Sequence, residues 1–352
     1  MTLAVLAPVL GAPSETFVRR HVDQLAPGRT VVVARRTATD ATEPLPDVPV
    51  LLLDPLADSW GGPVEVQAVL SFFDEHGVST VLGEFLDVWL PLVEPLRGSG
   101  RDVWVHGHGY DLSSRLREPW WVEQYAALAS ATGLLVPTAL AAGRLAAIGL
   151  PAHVVPYGVD VPERPEARDP AGCTVAVVGR LVPKKAPHLT AAAFTQAAAA
   201  RTDMRLEVVG EGPLEGAVRA ASGEAVRLHG ARPPGFVQAL LRRADVFAQH
   251  SVVDPETGDE EGMPIAILEA MAAALPVVST WHAGIPEEVV HGETGLLVQE
   301  GDVGAMAEGL GRLADVPELR KAMGLAGWER ARERFDWADN RRRLRTLLQL
   351  ES

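Results

Sequence analysis

Short apolar runs alternate along this chain with longer stretches of helical period, and that alternation limits its possible folds more than any other feature. In the first half the runs fall at residues 3–7, 30–34, 50–53, 80–83, 103–106 and 134–137, each rich in Val and Leu. A strand that is apolar at successive positions is buried on both faces, as in a parallel sheet covered by helices. Residues 15–25 and 67–76 carry apolar side chains at spacings of three and four, the mark of a helix with one buried face. Strand and helix in turn predict an α/β, doubly wound domain.

The rhythm pauses between Pro151 and Cys173, where Pro156, Pro162, Pro165 and Pro170 also fall. Prolines at this density break helices and sheet ladders, so the segment reads as a linker. Runs at 174–179, 205–210, 225–229, 245–249, 276–280 and 295–298 then restart the pattern. The expected organisation is a first domain over 1–158, a hinge over 159–172 and a second domain over 173–335. A length of 352 residues suits two domains. Residues 316–350 read as helical with a break at Asp336-Trp337, and the basic segment 336–352 is expected to pack back towards the first domain.

Composition narrows the function. A formal net charge of -14 argues against a general nucleic-acid binder, which needs a basic surface, although a local basic pocket stays open. Cys173 is the single cysteine, so neither an internal disulfide nor a cysteine metal cluster is possible, and a reducing cytoplasm fits. No run approaches the roughly 18 apolar residues of a membrane-spanning helix. The apolar start lacks a basic flank and reads as a first buried strand, not a leader. Nicotinamide and P-loop chemistry are both disfavoured. Gly210, Gly212 and Gly216 come near G-x-G-x-x-G, but the third glycine is one place late and Pro213 stands where the helix should open. No Walker A pattern occurs.

Polar chemistry concentrates in two places. From His250 to Pro264 an acidic loop runs into an Ala-rich stretch of helical composition. Gly262 and Met263 lie where the N–H groups of a helix start are unpaired, and Pro264 suits the first turn. Such an end favours a phosphate. Glu261 and Glu269 are about two helical turns apart, so both carboxylates are expected on one face, able to hold sugar and ribose hydroxyls. The bland alternative is a solvated acidic loop. The second place is the turn Gly179-Arg180-Leu181 and Lys185, at the carboxyl edge of the second sheet, where α/β folds bind ligands. Two cations there can clamp a diphosphate, Arg as a fork and Lys as a point charge. The bland alternative is surface solubility.

Together these residues resemble a retaining family 4 glycosyltransferase of the GT-B architecture. Glu261 and Glu269 match its E-x7-E motif, and Arg180 and Lys185 its diphosphate-binding Arg and Lys. Gly284-Ile285-Pro286-Glu287 and the run from Gly292 to Val298 match G-I-P-E and G-x-T-G-L-L-V. Val155-Pro156-Tyr157-Gly158-Val159-Asp160 resembles V-P-N-G-V-D, with Tyr157 in place of Asn. Ser14-Glu15-Thr16-Phe17 and His106-Gly107-His108-Gly109-Tyr110-Asp111 resemble the exopolysaccharide and colanic-acid branch, with Gly107 in place of Phe.

The resemblance implies two Rossmann-like domains facing a central cleft and transfer of a sugar from a nucleotide-sugar donor. The donor is a co-substrate, UDP-linked first and GDP-linked next, and no further cofactor is implied. Arg180 and Lys185 would stabilise the leaving diphosphate, helped by the backbone around Gly262, Met263, Pro264 and Ile265, with no metal required. Glu261 would orient the donor sugar and Glu269 the ribose, while the base would lie near Ala231 and Arg232. His108 matches the active-site histidine, with His106 as the alternative. The acceptor, a sugar, lipid-linked sugar or small molecule, would bind near Gly11, Ser14, Glu15, Tyr110 and Asp111.

Arg115, Arg117, Trp120 and Trp121 form a basic-aromatic cluster just beyond, suited to a sugar face, a lipid-phosphate acceptor or a membrane surface; the bland alternative is tryptophans packed in the core and solvated arginines. A cytoplasmic protein with peripheral contact at the inner membrane face is one expectation. The chain is short for this architecture, which predicts a trimmed first domain. Polysaccharide assembly and secondary-metabolite glycosylation both fit, and a non-catalytic nucleotide-sugar-binding protein is the competing class. A nucleotide-sugar epimerase fits the motifs less well. The oligomeric state leaves no trace in the sequence.

Overall fold

The computed structural model describes residues 1–12, 15–39, 44–53, 62–166 and 172–350. Its contacts divide into two units, one formed by Met1–Tyr157 with Ala338–Ser352 and the other by Gly158–Trp337.

The first unit holds β1 (Thr2–Leu10), β2 (Thr30–Thr37), β3 (Val50–Leu52), β4 (Val78–Glu84), β5 (Asp102–His106), β6 (Gly133–Val136) and β7 (His153–Val154). They form one sheet in the order β3-β2-β1-β4-β5-β6-β7, and every pairing is parallel. Leu3, Ala4, Val5, Leu6 and Ala7 of β1 are all buried, as a strand covered on both faces requires. Phe73, Trp89, Leu92 and Tyr125 pack against the sheet. Two-residue β7 lies inside the stretch expected as linker; it is too short to show a hydrophobic pattern of its own.

The second unit repeats the plan with β8 (Cys173–Val178), β9 (Met204–Val209), β10 (Val226–Leu228), β11 (Val246–Ala248), β12 (Val277–Thr280) and β13 (Gly295–Val298). Its order is β10-β9-β8-β11-β12-β13, again all parallel. The helix Val303–Asp315 starts at Asp302, whose side chain accepts from the Ala305 N–H at 2.8 Å, a regular N-cap. In each sheet the strand order reverses beside the first strand, between β1 and β4 and between β8 and β11. The carboxyl ends of such strand pairs open the crevice where doubly wound sheets take their ligands.

The expected hinge over 159–172 differs from what is found. The Val159 N–H donates to the Phe335 carbonyl at 2.8 Å, and Trp328 Nε1 donates to the Pro162 carbonyl at 2.9 Å. These bonds tie Val159 and Pro162 to the helix Pro317–Arg334 and the residue after it, and the segment belongs to the second unit. Residues 167–171 of the expected hinge lie outside the described residues. The chain passes back to the first unit after Trp337: Leu344, Leu348 and Leu350 are buried there, and Arg345 Nη1 donates to the Leu25 carbonyl at 2.5 Å. Among the described residues, no helix is long and apolar enough to cross a membrane.

Candidate active-site residues

In the second unit the site grows from the end of β8. Gly179 has φ +143°, a conformation that favours glycine, and a Cβ there would stand 3.2 Å from the Lys185 side chain. The chain can therefore turn tightly and lay Lys185 across the strand end. Arg180 beside it is exposed. The loop after β9 supports this turn: a Cβ on Gly210 would fall 1.9 Å from the Gly179 carbonyl oxygen, and the Leu181 N–H donates to the Glu211 carbonyl at 2.8 Å. Gly210 and Gly212, weak as a dinucleotide fingerprint, serve this close backbone approach. The Gly210 N–H also donates to the Gly230 carbonyl at 2.9 Å, placing Ala231 and Arg232 next to the same loop, both exposed.

Glu261 is buried and pairs with Lys185, while Lys184 Nζ lies 3.4 Å from its other oxygen. Burial alone would raise the Glu261 carboxyl, but Lys185 and Lys184 outweigh it and bring it down to about 2. Lys184, which the sequence reading passed over, also holds Asp259 at 2.9 Å and the Glu260 carbonyl at 3.2 Å. The acidic loop is thus partly neutralised from within the unit. The Glu261 N–H donates to His282 Nε2 at 3.0 Å, so His282 carries its proton on Nδ1 and donates to Glu300 at 2.6 Å. Gln249, at the end of β11, reaches Glu261 at 3.4 Å and Ser251 at 2.8 Å.

One geometric expectation is corrected. The helix begins at Ile265, with Pro264 as its cap, so Glu261 belongs to the preceding loop and only Glu269 is helical. Two helical turns therefore do not separate them; Glu261 is aimed by the two lysines and His282. Glu269 is half-buried, as are Gly262 and Ile265, while Met263 and Pro264 are buried.

The first unit places a second group at the ends of β4 and β5. Glu84 is fully buried and faces His21 Nδ1 at 2.6 Å and His108 Nε2 at 2.8 Å. Burial pushes its carboxyl up, yet His21 and His108 together hold it well below the usual carboxylate range. His108 Nδ1 faces the Tyr157 hydroxyl at 2.6 Å. The His108 ring lies 4.3 Å from Phe17 and 4.7 Å from Phe85, centroid to centroid. Phe85 follows Glu84 with φ +72°, a strained left-handed conformation for an aromatic residue, of the kind that clusters at working sites. His106 is fully buried, neither ring nitrogen has a hydrogen-bond partner, and burial with His108 nearby keeps it neutral by driving its pKa well down. His21, Glu84 and His106 are the described residues that come near enough to share a cation, their ligand atoms lying within 4.8 Å of one another.

Asp111, expected at the acceptor, is fully buried and accepts from the Leu86, His108 and Gly109 N–H groups, so here it fixes the loop. Tyr110 is half-buried and donates to Asp87 at 3.1 Å. Gly11 and Glu15 line a small pocket beside the end of β1, and Ser14 lies outside the described residues. Arg115 stacks over Trp121 at 4.2 Å, leaving Trp120 58% exposed. The sequence missed Glu84, His21 and Lys184. A lone acid after an apolar run and a histidine on an apolar helix face carry only a weak signal.

Residues 172–315 match the model of the family described as glycosyl transferases group 1. The chain is 32% identical over 317 residues to the putative colanic acid biosynthesis glycosyltransferase WcaL of Escherichia coli (strain K12), covering 85% of this chain and 74% of that one. It is 33% identical over 228 residues to the amylovoran biosynthesis glycosyltransferase AmsK of Erwinia amylovora, covering 61% and 55%. Among solved structures, Anabaena Alr3699/HepE in complex with UDP-glucose superposes with a TM-score of 0.79 at 17% identity, over 100% of both chains.

Proposed function

Because the chain belongs to the group 1 glycosyl transferases and has their two-domain GT-B fold, we propose that it moves a sugar from a nucleoside-diphosphate donor to an acceptor hydroxyl, with retention at the anomeric carbon, in exopolysaccharide assembly. The observation that carries this reading is the pairing of Lys185 with the buried Glu261 at the carboxyl end of β8, where the second sheet reverses its strand order and where Arg180 follows Gly179.

The difficult charge in such a transfer develops on the departing diphosphate. Arg180 and Lys185 would meet it, with backbone N–H groups beyond Glu261, and such preorganised donors are a large source of rate. The Glu261 N–H itself is committed to His282. Lys185 starts paired with Glu261, so an arriving diphosphate takes the cation and leaves the carboxylate to accept sugar hydroxyls. Glu269 would hold the ribose hydroxyls and the backbone near Ala231 and Arg232 the base. His108 would stand at the transfer centre and the acceptor near Gly11, Glu15 and Tyr110. No metal enters this scheme: the cations supply the charge, and the departing phosphate oxygen takes the acceptor proton in a front-face displacement. A UDP-sugar is the donor to test first, which the UDP-glucose bound to the similar Anabaena protein supports.

The test is thermal melting with UDP, GDP, ADP and dTDP, with and without EDTA, on wild type and Arg180→Ala. A nucleotide at about 100 times its Kd adds roughly 2.7 kcal/mol. One nucleotide should raise the wild-type Tm, keep its effect in EDTA and lose it on Arg180→Ala. If none does, the reading gives way to a protein without a working donor site. If EDTA abolishes the shift, the metal-free scheme fails.

A further inference from the structure

His108 has no unengaged ring nitrogen: Glu84 faces Nε2 at 2.8 Å and the Tyr157 hydroxyl faces Nδ1 at 2.6 Å. The other Glu84 oxygen faces His21 Nδ1 at 2.6 Å. An ionised carboxylate only accepts hydrogen bonds, so the imidazole nitrogens facing Glu84 must carry protons. In the singly protonated ring of His108 the proton is then on Nε2, and Nδ1 is a lone pair to which the Tyr157 hydroxyl donates. The ring is packed by aromatics as well, tilted against Phe17 at 4.3 Å and edge-to-face with Phe85 at 4.7 Å, and Tyr157 stacks on Phe17 at 5.1 Å. A buried carboxylate is costly unless its partners are fixed, and this one has two fixed imidazoles.

We propose that Glu84 is the positioning residue of the transfer centre: it locks His108 in the Nε2–H tautomer, so that the Nδ1 lone pair, held at rest by the Tyr157 hydroxyl, is taken by a sugar hydroxyl when Tyr157 gives it up. The inference rests on the proposed transfer reaction and on His108 standing at its centre, and it assigns roles to Glu84 and to Tyr157, the residue at which the hinge motif departs from V-P-N-G-V-D. His106 fits the same picture. Neutral and without a hydrogen-bond partner, it packs 4.3 Å from His108, centroid to centroid, with its Nδ1 3.6 Å from Glu84.

Glu84→Gln tests it. The carboxamide keeps the size of the carboxylate, but its single oxygen cannot serve both imidazoles, and its NH2 group prefers a lone pair on His108 Nε2. That moves the His108 proton to Nδ1, against Tyr157. With the pairing of nucleotide and acceptor found for wild type, kcat should fall about 100-fold or more, as wrong-tautomer variants of carboxylate–histidine pairs do. The donor KM and the nucleotide-induced Tm shift should hold, because the donor residues sit in the other unit. Nitrogen-15 spectra of histidine-labelled protein should show His108 protonated at Nε2 in wild type and at Nδ1 in Glu84→Gln. Tyr157→Phe should keep the wild-type tautomer and lose less activity than Glu84→Gln.

A wild-type spectrum with His108 protonated at Nδ1 overturns the inference even if Glu84→Gln does not fold. So does a folded Glu84→Gln with wild-type kcat. Zinc retained in stoichiometric amount by wild type and lost in His106→Ala also overturns it, since the cluster would then be a metal site. Failure of nucleotide binding in wild type counts against the proposed reaction and leaves the tautomer measurement standing.

Discussion

Glu288 ends the short helix Ile285–Glu288 wholly buried, and neither carboxylate oxygen has a hydrogen-bond partner. Burial, with Glu261 adding to it, pushes its pKa well above the usual 4.5. A carboxyl raised in this way supports the fold fully below its unfolded pKa and loses that support as pH rises towards the folded value. Near neutral pH, Glu288 is thus a cost. Glu288→Gln should melt higher than wild type at pH 7.5, and the gain should shrink as pH falls towards about 4.5. Melting curves across that range check it; a gain independent of pH would contradict the assignment. At this scale the sequence was legible where polar residues crowd, as where Lys185 and Glu261 pair. It was silent where a single polar group meets a distant partner: His21 and Glu84 are 63 positions apart, and nothing local joins them.

Elements were legible because burial on both faces writes continuous apolar runs. The run at 80–83 became β4, Val78–Glu84, and the run at 103–106 became β5, Asp102–His106. Loops carry no such period, and their glycines had to be read from contacts. Gly210, at φ +138°, lets the loop after β9 touch the Gly179 carbonyl, whereas a Cβ on Gly216 would meet nothing within 4 Å. Gly210→Ala should therefore push the Gly179–Leu181 turn away, lower stability by about 1–3 kcal/mol and weaken nucleotide binding. Gly216→Ala lies in the helix Glu215–Ala221 and should stabilise by up to about 1 kcal/mol with binding intact. Denaturant titration and nucleotide-induced Tm shifts on the pair measure both effects. Equal behaviour of the two variants would show that the loop contact does not support the site.

The chain as a whole is not two consecutive beads. It builds the first sheet, crosses into the second unit at Gly158 and returns after Trp337 to finish the first. The fold class followed from the strand runs. The boundary did not, because a Pro-rich segment looks alike whether it swings free or lies along a helix, as Val159 and Pro162 do beside Phe335 and Trp328. The returning segment carries buried Leu344, Leu348 and Leu350, each worth roughly 1.5–3 kcal/mol of burial. A domain has only about 5–15 kcal/mol in total, so the first unit cannot lose this segment and stay folded by a wide margin. Ending the chain after Trp337 should raise amide hydrogen exchange in the strands Thr2–Leu10 and Thr30–Thr37 while leaving Cys173–Val178 and Met204–Val209 protected. If protection falls equally in both sheets, the two units unfold as one. If it falls in neither, the returning helix contributes little, and its buried leucines are balanced by the entropy of ordering a basic, half-exposed segment.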